Sequence, residues 1–494
     1  MSESPRRLLV GPFNRVEGDL EVSLDIADGV VREARVTATM YRGFEQVLPG
    51  RDPLDALVIV PRICGICSVS QSVAAARALA DLAGVAPPPN GEVATNLMLA
   101  CENLADHLAH FYLFFMPDFT RPVYAGRPWF AEVQRRFAAL DGSGGGEHAR
   151  AAVVARQRWF RLMGLLGGKW PHTHSIVPGG SSRAIDAAER LRLLGWVREF
   201  RGFAEQQLFG APLEQVAALA TEDALAAWAD AAPGQGDLRQ FLAVSADLGL
   251  DTLGRGPGLT LSVGAYRQGG GAFALAPGLF DEAGAACSAP DLSGLREDAQ
   301  HAWLADDVTG GRHPAQGLTQ PVADKPGAYT WNKAPRLDGR VLETGALARQ
   351  LADGQPLLRA AVARAGATVH TRVLARLLEI ARVLPLMEAW LAGLRPREPF
   401  AVPHGLPDEG QGTGTTEAAR GTLGHWLSVR QGRLERYQIV APTSWNFSPR
   451  DHLSRPGALE AALVGAPVLP GEDTPVAVQH IVRSFDPCMV CTVH

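Results

Sequence analysis

Arg62-Ile-Cys-Gly-Ile-Cys67 and, at the far end of the chain, Asp486-Pro-Cys-Met-Val-Cys-Thr-Val-His494 are the stretches on which the reading of this sequence turns. Two thiols at i and i+3 can point at one centre from a turn or a helix start, so each Cys-x-x-Cys is a possible bidentate claw. Four soft thiolates suit zinc, an iron–sulfur cluster or nickel. A zinc ribbon closes within about 15–20 residues, whereas nearly the whole chain lies between Cys67 and Cys488. If the pairs share a metal, an early segment and the extreme C-terminus must meet inside the protein. On spacing alone a structural zinc, a redox or catalytic metal and two unrelated pairs all stay open. The remaining cysteines, Cys101 and Cys287, lack partners and are expected to be small buried apolar residues. His494 stands three residues beyond Cys491. Termini fray unless tied down, so a metal-bound tail places that imidazole where a second ion could use it.

Outward from these pairs the pattern changes twice. Leu20-Glu-Val-Ser-Leu-Asp-Ile26 alternates with period two and continues after a turn at Asp28-Gly29, so about 7–60 reads as β-rich. Helical periodicity follows at about 72–82, 96–115, 148–166 and 183–209, and again at about 344–365 and 369–394. Between them, about 210–345 is rich in Gly and Pro, with blocks such as Gln268-Gly-Gly-Gly271, and is expected to be irregular surface elaboration. Gly424 to Arg430, Gln431-Gly432 and Leu434 to Val440 read as a β-hairpin. No repeat or linker appears. The expectation is an α+β, predominantly α, single domain over 1–494: a large helical-bundle core with peripheral β elements.

Composition narrows the function. The 494 residues carry 47 Lys+Arg against 52 Asp+Glu, a formal charge of -5, which argues against a nucleic-acid surface. Hydrophobic residues at 46% and charged residues at 20% fit a globular chain with a large core. The 53 Gly and 35 Pro stay below the roughly 25–30% that marks low complexity. No apolar run approaches the ~18 residues needed to span a bilayer. The start, with Arg6-Arg7 before only Leu8-Leu9-Val10, lacks a secretory apolar region. A cytoplasmic location without membrane insertion is the expectation.

Further blocks, in order, complete a pattern: Arg15-Val-Glu-Gly18, Tyr41-Arg-Gly-Phe-Glu45, Gly167-Gly-Lys-Trp-Pro-His172, Glu417-Ala-Ala-Arg-Gly421 and Ala441-Pro-Thr-Ser-Trp-Asn446. With the two cysteine motifs, they resemble the large subunit of nickel–iron hydrogenases over residues 7 to 494. The resemblance implies a hydrogenase that cleaves H2 at a buried nickel–iron centre whose iron carries CO and CN ligands. Cys64 and Cys488 would be terminal nickel ligands, and Cys67 and Cys491 would bridge to iron. Heterolytic cleavage needs a Lewis-acidic metal and a nearby base, a part given to Cys488. Arg420 would lie over the metals and reach one cyanide, with Asp118 and Asp486 orienting it, and Thr443 would donate to the other cyanide. Glu17 would relay protons, although a salt bridge with Arg15 or Arg42 is the plainer reading. Glu45, His494 and the Phe447 carbonyl match ligands of Mg2+ or another divalent ion. Electrons would leave through an iron–sulfur small subunit, with His172 on that interface.

Several positions depart from the commoner family pattern. Gln71 stands where most members have His, Asp19 replaces a His and Ala419 a Pro, while Ile66 and Phe114 replace Val and Leu on the expected gas route. The bulkier pair would slow oxygen more than hydrogen, against a plain reading as tolerated core repacking. Together the departures resemble the regulatory, hydrogen-sensing class, which signals to a histidine kinase and lacks the clipped C-terminal extension of other members. The chain's end at His494 suits that class, and a processed chain would end in the same way. An uptake or bidirectional hydrogenase is the second reading. A nickel-free structural relative in respiratory complex I is a remote third that the two intact pairs oppose.

Overall fold

The computed structural model describes residues 6–141 and 144–494. The first five residues, on which the absence of a leader was read, lie outside them. Three antiparallel strands, Arg6–Val10, Leu20–Ala27 and Val30–Ala38, form the N-terminal sheet. Leu20, Val22, Leu24 and Ile26 turn inward from the middle strand, as period two requires. The β-rich segment ends at Ala38, short of the expected 60. Beyond it lie short helical turns, two of which start at Pro53 and around Pro61. Proline is preset for a first helical turn and has no amide to give a sheet.

Helices build the centre, and the chain is 45% helical and 19% strand, the expected α+β class. Val369–Gly393 is the axis. It is apolar on almost every side and packs on Pro89–Ala109, Ala346–Ala352 and Ala187–Phe203. Such a helix belongs inside a bundle. Thr368 caps it, and its side chain and that of Thr371 bond reciprocally to each other's backbone amides.

The middle is more ordered than its composition suggested. Helices Leu213–Ala217, Glu222–Asp230 and Asp237–Leu248 precede a four-stranded sheet that includes Leu259–Ser262 and Gly278–Asp281. Leu238, Phe241 and Val244 are fully buried in the main core. Leu213–Ala217 is too short to show a pattern and Leu259–Ser262 is buried on both faces, and although Asp237–Leu248 runs for 12 residues, the Gly and Pro around these elements dominated the reading. Cys287 is also corrected: it is exposed, on the short strand Ala286–Ser288, whereas Cys101 is buried as expected.

The C-terminal hairpin forms with Gln431 and Gly432 both at positive φ in its turn, as tight hairpins need. A third strand, Gly410–Ala418, joins it and lies directly on the Ser68–Ala83 helix. A Cβ at Gly412 or Gly414 would fall 2.1 Å from the Ala78 carbonyl oxygen or 2.0 Å from that of Ala74. Glycine there brings the sheet against the helix that begins at Cys67.

Candidate metal centre

The two distant pairs converge. The four sulfurs of Cys64, Cys67, Cys488 and Cys491 all lie within 4.8 Å of one another. Cys64 is 3.4 Å from Cys488, Cys67 is 3.1 Å from Cys491, and Cys488 is 2.9 Å from Cys491. All are free and buried, at separations well beyond the ~2.05 Å of a disulfide. The first pair spans the turn before a helix, with Cys67 the N-cap of Ser68–Ala83, and the second spans a helix start, with Cys488 the N-cap of Met489–Thr492 and Cys491 inside it. Hydrogen bonds from Cys488, Cys491 and Cys67 pull the Cys64 thiol well below its usual pKa. Bonding to Cys488 pushes Cys67 and Cys491 up, and burial raises Cys488. A soft metal ion binds thiolates and would displace their protons. This donor set fits a thiophilic metal such as nickel.

Different contacts hold the two claws. Behind Cys67, the buried Glu102 carboxylate accepts from the amides of Val69 (2.8 Å) and Ser70 (2.9 Å), the Ser70 hydroxyl (3.0 Å) and the Trp170 indole (3.1 Å). These donors and the Ser68 hydroxyl (3.4 Å), five on one carboxylate, favour its ionised form, against a burial cost that pushes its pKa up to about 7. The C-terminal claw is gripped by the Arg15-Val-Glu-Gly18 segment. The Met489 amide donates to the Glu17 carbonyl (2.7 Å), and the Glu17 amide to that of Pro487 (3.4 Å). Gly18 has φ 79, and a Cβ there would sit 3.0 Å from the Val490 nitrogen.

Arg420 stands near this cluster, in the turn between two strands, close enough for its charge to act on Cys488 and Cys64. Its Nε donates to the Asp486 carbonyl (2.9 Å), and its Nη2 lies 3.1 Å from Asp486 Oδ1 and 3.2 Å from Asp106 Oδ1. Asp486 is where the sequence reading put it, but Asp118 is not. Asp118 pairs with Arg15, with Arg121 (2.8 Å), with Arg483 (2.6 Å) and with His480 (3.3 Å). The second carboxylate on Arg420 is Asp106, about three turns earlier along the same run of chain. Burial pushes the Asp106 pKa up, only partly offset by Arg420, and Asp486 raises it further. Burial also opposes ionisation of Asp486, but Arg420 outweighs it and holds that pKa down.

Arg349, fully buried, fixes the turn that presents Arg420. Its five N–H groups meet five acceptors: Glu379 Oε2 (2.9 Å) and Oε1 (2.8 Å), Glu417 Oε2 (3.1 Å), and the carbonyls of Ala418 (2.8 Å) and Ala419 (3.1 Å). Thr443 Oγ1 accepts from the Cys488 amide at 3.3 Å.

Glu17 is half-buried and has no ion pair with Arg15 or Arg42: Arg15 is on Asp118, and Arg42 donates to the carbonyls of Ile63 and Arg62. Burial raises the Glu17 pKa, Cys64 raises it further, and Arg420 and Arg42 pull the other way. Gln71 accepts from His425 Nε2 (2.9 Å), which leaves His425 Nδ1 to accept from the Tyr437 hydroxyl (2.8 Å). Ile66 packs against the cysteines, and Phe114 is half-buried in the π-helical turn His110–Phe115. His172, at φ 66, donates from Nδ1 to the Pro61 carbonyl (3.0 Å).

The C-terminal imidazole is also buried. His494 Nε2 lies 2.7 Å from the Ile439 carbonyl and 3.4 Å from Glu45 Oε1. The carbonyl that His494 reaches is that of Ile439 and not the expected Phe447, whose oxygen accepts from Asn332 Nδ2 (3.0 Å). Lys333 Nζ stands 3.0 Å from Glu45, 3.3 Å from Glu297 and 2.9 Å from Gln438 Oε1. Burial opposes ionisation of Glu45, but Lys333 and His494 hold its pKa at about 2. Oxygen donors and one imidazole fit a divalent ion. The sequence reading missed Asp106, Glu102, Arg349, Ile439 and Lys333. A signal existed for the first two: Glu102, Asn103, Asp106 and His107 interrupt the apolar faces of a helix with no polar face, and buried charges are rare without a partner.

The sequence profile of the family described as "Nickel-dependent hydrogenase" matches residues 42–127 and 147–494. The chain is 30% identical to the "Periplasmic [NiFeSe] hydrogenase large subunit" of Desulfomicrobium baculatum, over 99% of this chain and 95% of that protein. It is 28% identical to the "Uptake hydrogenase large subunit" of Rubrivivax gelatinosus, over 100% of this chain and 96% of that one. The solved structure of the reduced Ni-Fe-Se hydrogenase from D. vulgaris Hildenborough superposes with a TM-score of 0.83 at 30% identity, covering 99% of this chain and 100% of the other.

Proposed function

The chain belongs to the nickel-dependent hydrogenase family as a large, catalytic subunit, and from that premise we propose that it is the H2-cleaving subunit of a regulatory, hydrogen-sensing enzyme. The observation that carries the hydrogenase chemistry is the convergence of four buried thiols, with the charge of Arg420 close to Cys488 and Cys64. Cys64 and Cys488 would hold nickel, and Cys67 and Cys491 would bridge it to an iron with CO and CN ligands. When bound, the pair of metals supplies Lewis acidity and a place for the electrons of H2.

The protein groups do the rest. Cys488 takes the proton. Glu17, whose backbone is hydrogen-bonded on either side of Cys488 and whose carboxyl is raised by burial, carries it outward. Arg420, held by Asp486 and Asp106, would offer its remaining donors to one cyanide, and the Thr443 hydroxyl would donate to the other. Glu45, the Ile439 carbonyl and His494 would bind Mg2+ or a similar ion and pin the tail that carries Cys491. Large subunits of this family pair with an iron–sulfur small subunit, and His172 would face it.

The departures at Gln71, Asp19, Ala419, Ile66 and Phe114 support the sensor reading, with a histidine kinase as partner and a cytoplasmic location. No helix among the described residues is long and apolar enough to cross a membrane. A fast uptake enzyme is the second reading, favoured by the names of the relatives. Infrared spectra of the matured heterodimer test the centre: iron-bound carbonyl and cyanide bands are expected, and a properly matured sample without them overturns the hydrogenase site. Turnover tests the class. Slow H2 oxidation, with inactivation by oxygen appearing in the I66V/F114L variant, is expected of the sensor. A rate typical of energy-yielding hydrogenases overturns it.

A further inference from the structure

A cavity of about 730 Å³ opens beside the Ser68–Ala83 helix, away from the thiols. It has the size of a small-molecule site. Its walls are mostly apolar, with Val73, Ile176 and Phe273 among them, and its polar groups are unusual. Arg77 uses one N–H on the Thr415 carbonyl (2.7 Å) and has no ion pair among the described residues. Arg267 has neither an ion pair nor a side-chain hydrogen bond there, and its Nε is buried without a partner. Glu92 is half-buried and likewise unpaired. Asn96, 2% exposed, donates from Nδ2 to the Arg267 carbonyl (2.6 Å), which fixes its amide and leaves Oδ1 with no partner.

Unpaired buried polar groups are costly, and native proteins rarely keep several in one place without a ligand or ordered water. Burial lowers the pKa of Arg77 to about 9, helped by repulsion from Arg267, and burial raises that of Glu92. Glu92 opposes the shift of Arg77, and Arg77 and Arg267 pull back that of Glu92, so the three charges face one another across the cavity without a direct ion pair, and burial outweighs their attraction. The mouth is the Gly269–Gly271 turn, with Gly270 at φ 76 and Gly271 at φ 84, and no atom lies within 4 Å of where their Cβ atoms would sit. The glycine block that read as formless surface thus keeps the entrance clear.

We propose that this cavity binds a small zwitterion of the α-amino-acid class with an apolar side chain. Arg77 and Arg267 take the carboxylate, Glu92 and Asn96 Oδ1 take the ammonium, and the apolar wall takes the side chain. Two cations and one anion match a ligand whose carboxylate and ammonium are both satisfied, which neither a simple anion nor a simple amine would be. The site is separate from the metal centre: ten residues of helix put Arg77 about 15 Å from Cys67. It does not depend on the sensor reading.

The test is calorimetric titration of the matured heterodimer with L-phenylalanine, 3-phenylpropionate (no ammonium) and phenethylamine (no carboxylate). Saturable binding of L-phenylalanine is expected, with each truncated probe weaker by roughly tenfold or more, the scale of one hydrogen bond to a charged group. R267M should weaken L-phenylalanine by a similar factor, and E92Q should weaken it while leaving 3-phenylpropionate unchanged. Retained H2 oxidation shows that both variants are folded. No saturable binding, 3-phenylpropionate binding as tightly as L-phenylalanine, or undiminished binding to both variants overturns the assignment.

Discussion

Two buried ion networks flank the thiol cluster, and they are built to opposite recipes. Around Asp118, one carboxylate serves three guanidiniums, Arg15, Arg121 and Arg483, with His480 beside them. Around Arg349, one guanidinium serves two carboxylates, Glu379 and Glu417, with His107 donating to Glu379 at 3.1 Å. The Asp118 network carries excess charge because it leaks: Arg15 and Arg121 are 20% and 25% exposed, and water can solvate what the carboxylate does not. The Arg349 network is sealed, with Arg349, Glu379 and Glu417 all at 0% exposure, and every Arg349 donor has an acceptor. A sealed site must be saturated, because an unpaired charge there has no solvent to turn to. The two also do different work. Asp118 ties the segment before Glu17 to the Val476–Ser484 helix that leads into Cys488, while Arg349 fixes the carbonyls just before Arg420.

Breaking the sealed network should cost most. R349M strands two buried carboxylates and frees the Arg420 turn, so a loss of about 3–5 kcal/mol in stability is expected, with activity falling by about a hundredfold as Arg420 loses its aim. In an R420K background the same change should cost stability but little further activity, which kinetics and thermal unfolding of the double variant will separate. D118N should follow at about 3 kcal/mol, because Arg483 is only 1% exposed and loses its counter-charge. Its signature is a looser C-terminal claw, read as faster loss of nickel to a chelator.

Acid should sharpen the contrast next. Burial opposes ionisation of Glu379, but Arg349 and His107 hold its pKa at about 2, below the usual 4.5. A depressed carboxyl contributes stability that is complete above pH 4.5 and lost as pH falls toward 2. Between pH 4.5 and about pH 3 that is about 2 kcal/mol, and E379Q should lack this acid-driven part of the fall in unfolding midpoint. R121M comes last, at under about 1 kcal/mol, since its partner keeps Arg483 and Arg15 and the lost charge is partly solvated.

Much of the centre was legible because its chemistry is carried by residue type and local spacing. The thiols at Cys64, Cys67, Cys488 and Cys491, the hairpin turning at Gln431-Gly432 and the long central helix each announce themselves within a few residues. The partners of Arg420 did not. Asp106 and Asp118 both follow apolar stretches of the same run, and nothing local says which one faces a guanidinium presented from a distant strand. The Ile439 carbonyl was invisible for a plainer reason: every residue has a carbonyl, and only the path of the backbone decides which one reaches His494. The middle of the chain was misjudged because helices such as Leu213–Ala217 end before a period repeats and strands such as Leu259–Ser262 are buried on both faces and do not alternate.

The sequence by itself determined that four soft donors exist, that they come as two claws and that an imidazole follows the second. Tertiary structure decided that the claws share one centre, which carboxylates hold Arg420, and that Arg77 and Arg267 stand unpaired in one cavity. The division is physical. Donor softness and turn preference are properties of single residues and near neighbours, whereas charge pairing in a buried site depends on distances between segments that only packing brings together.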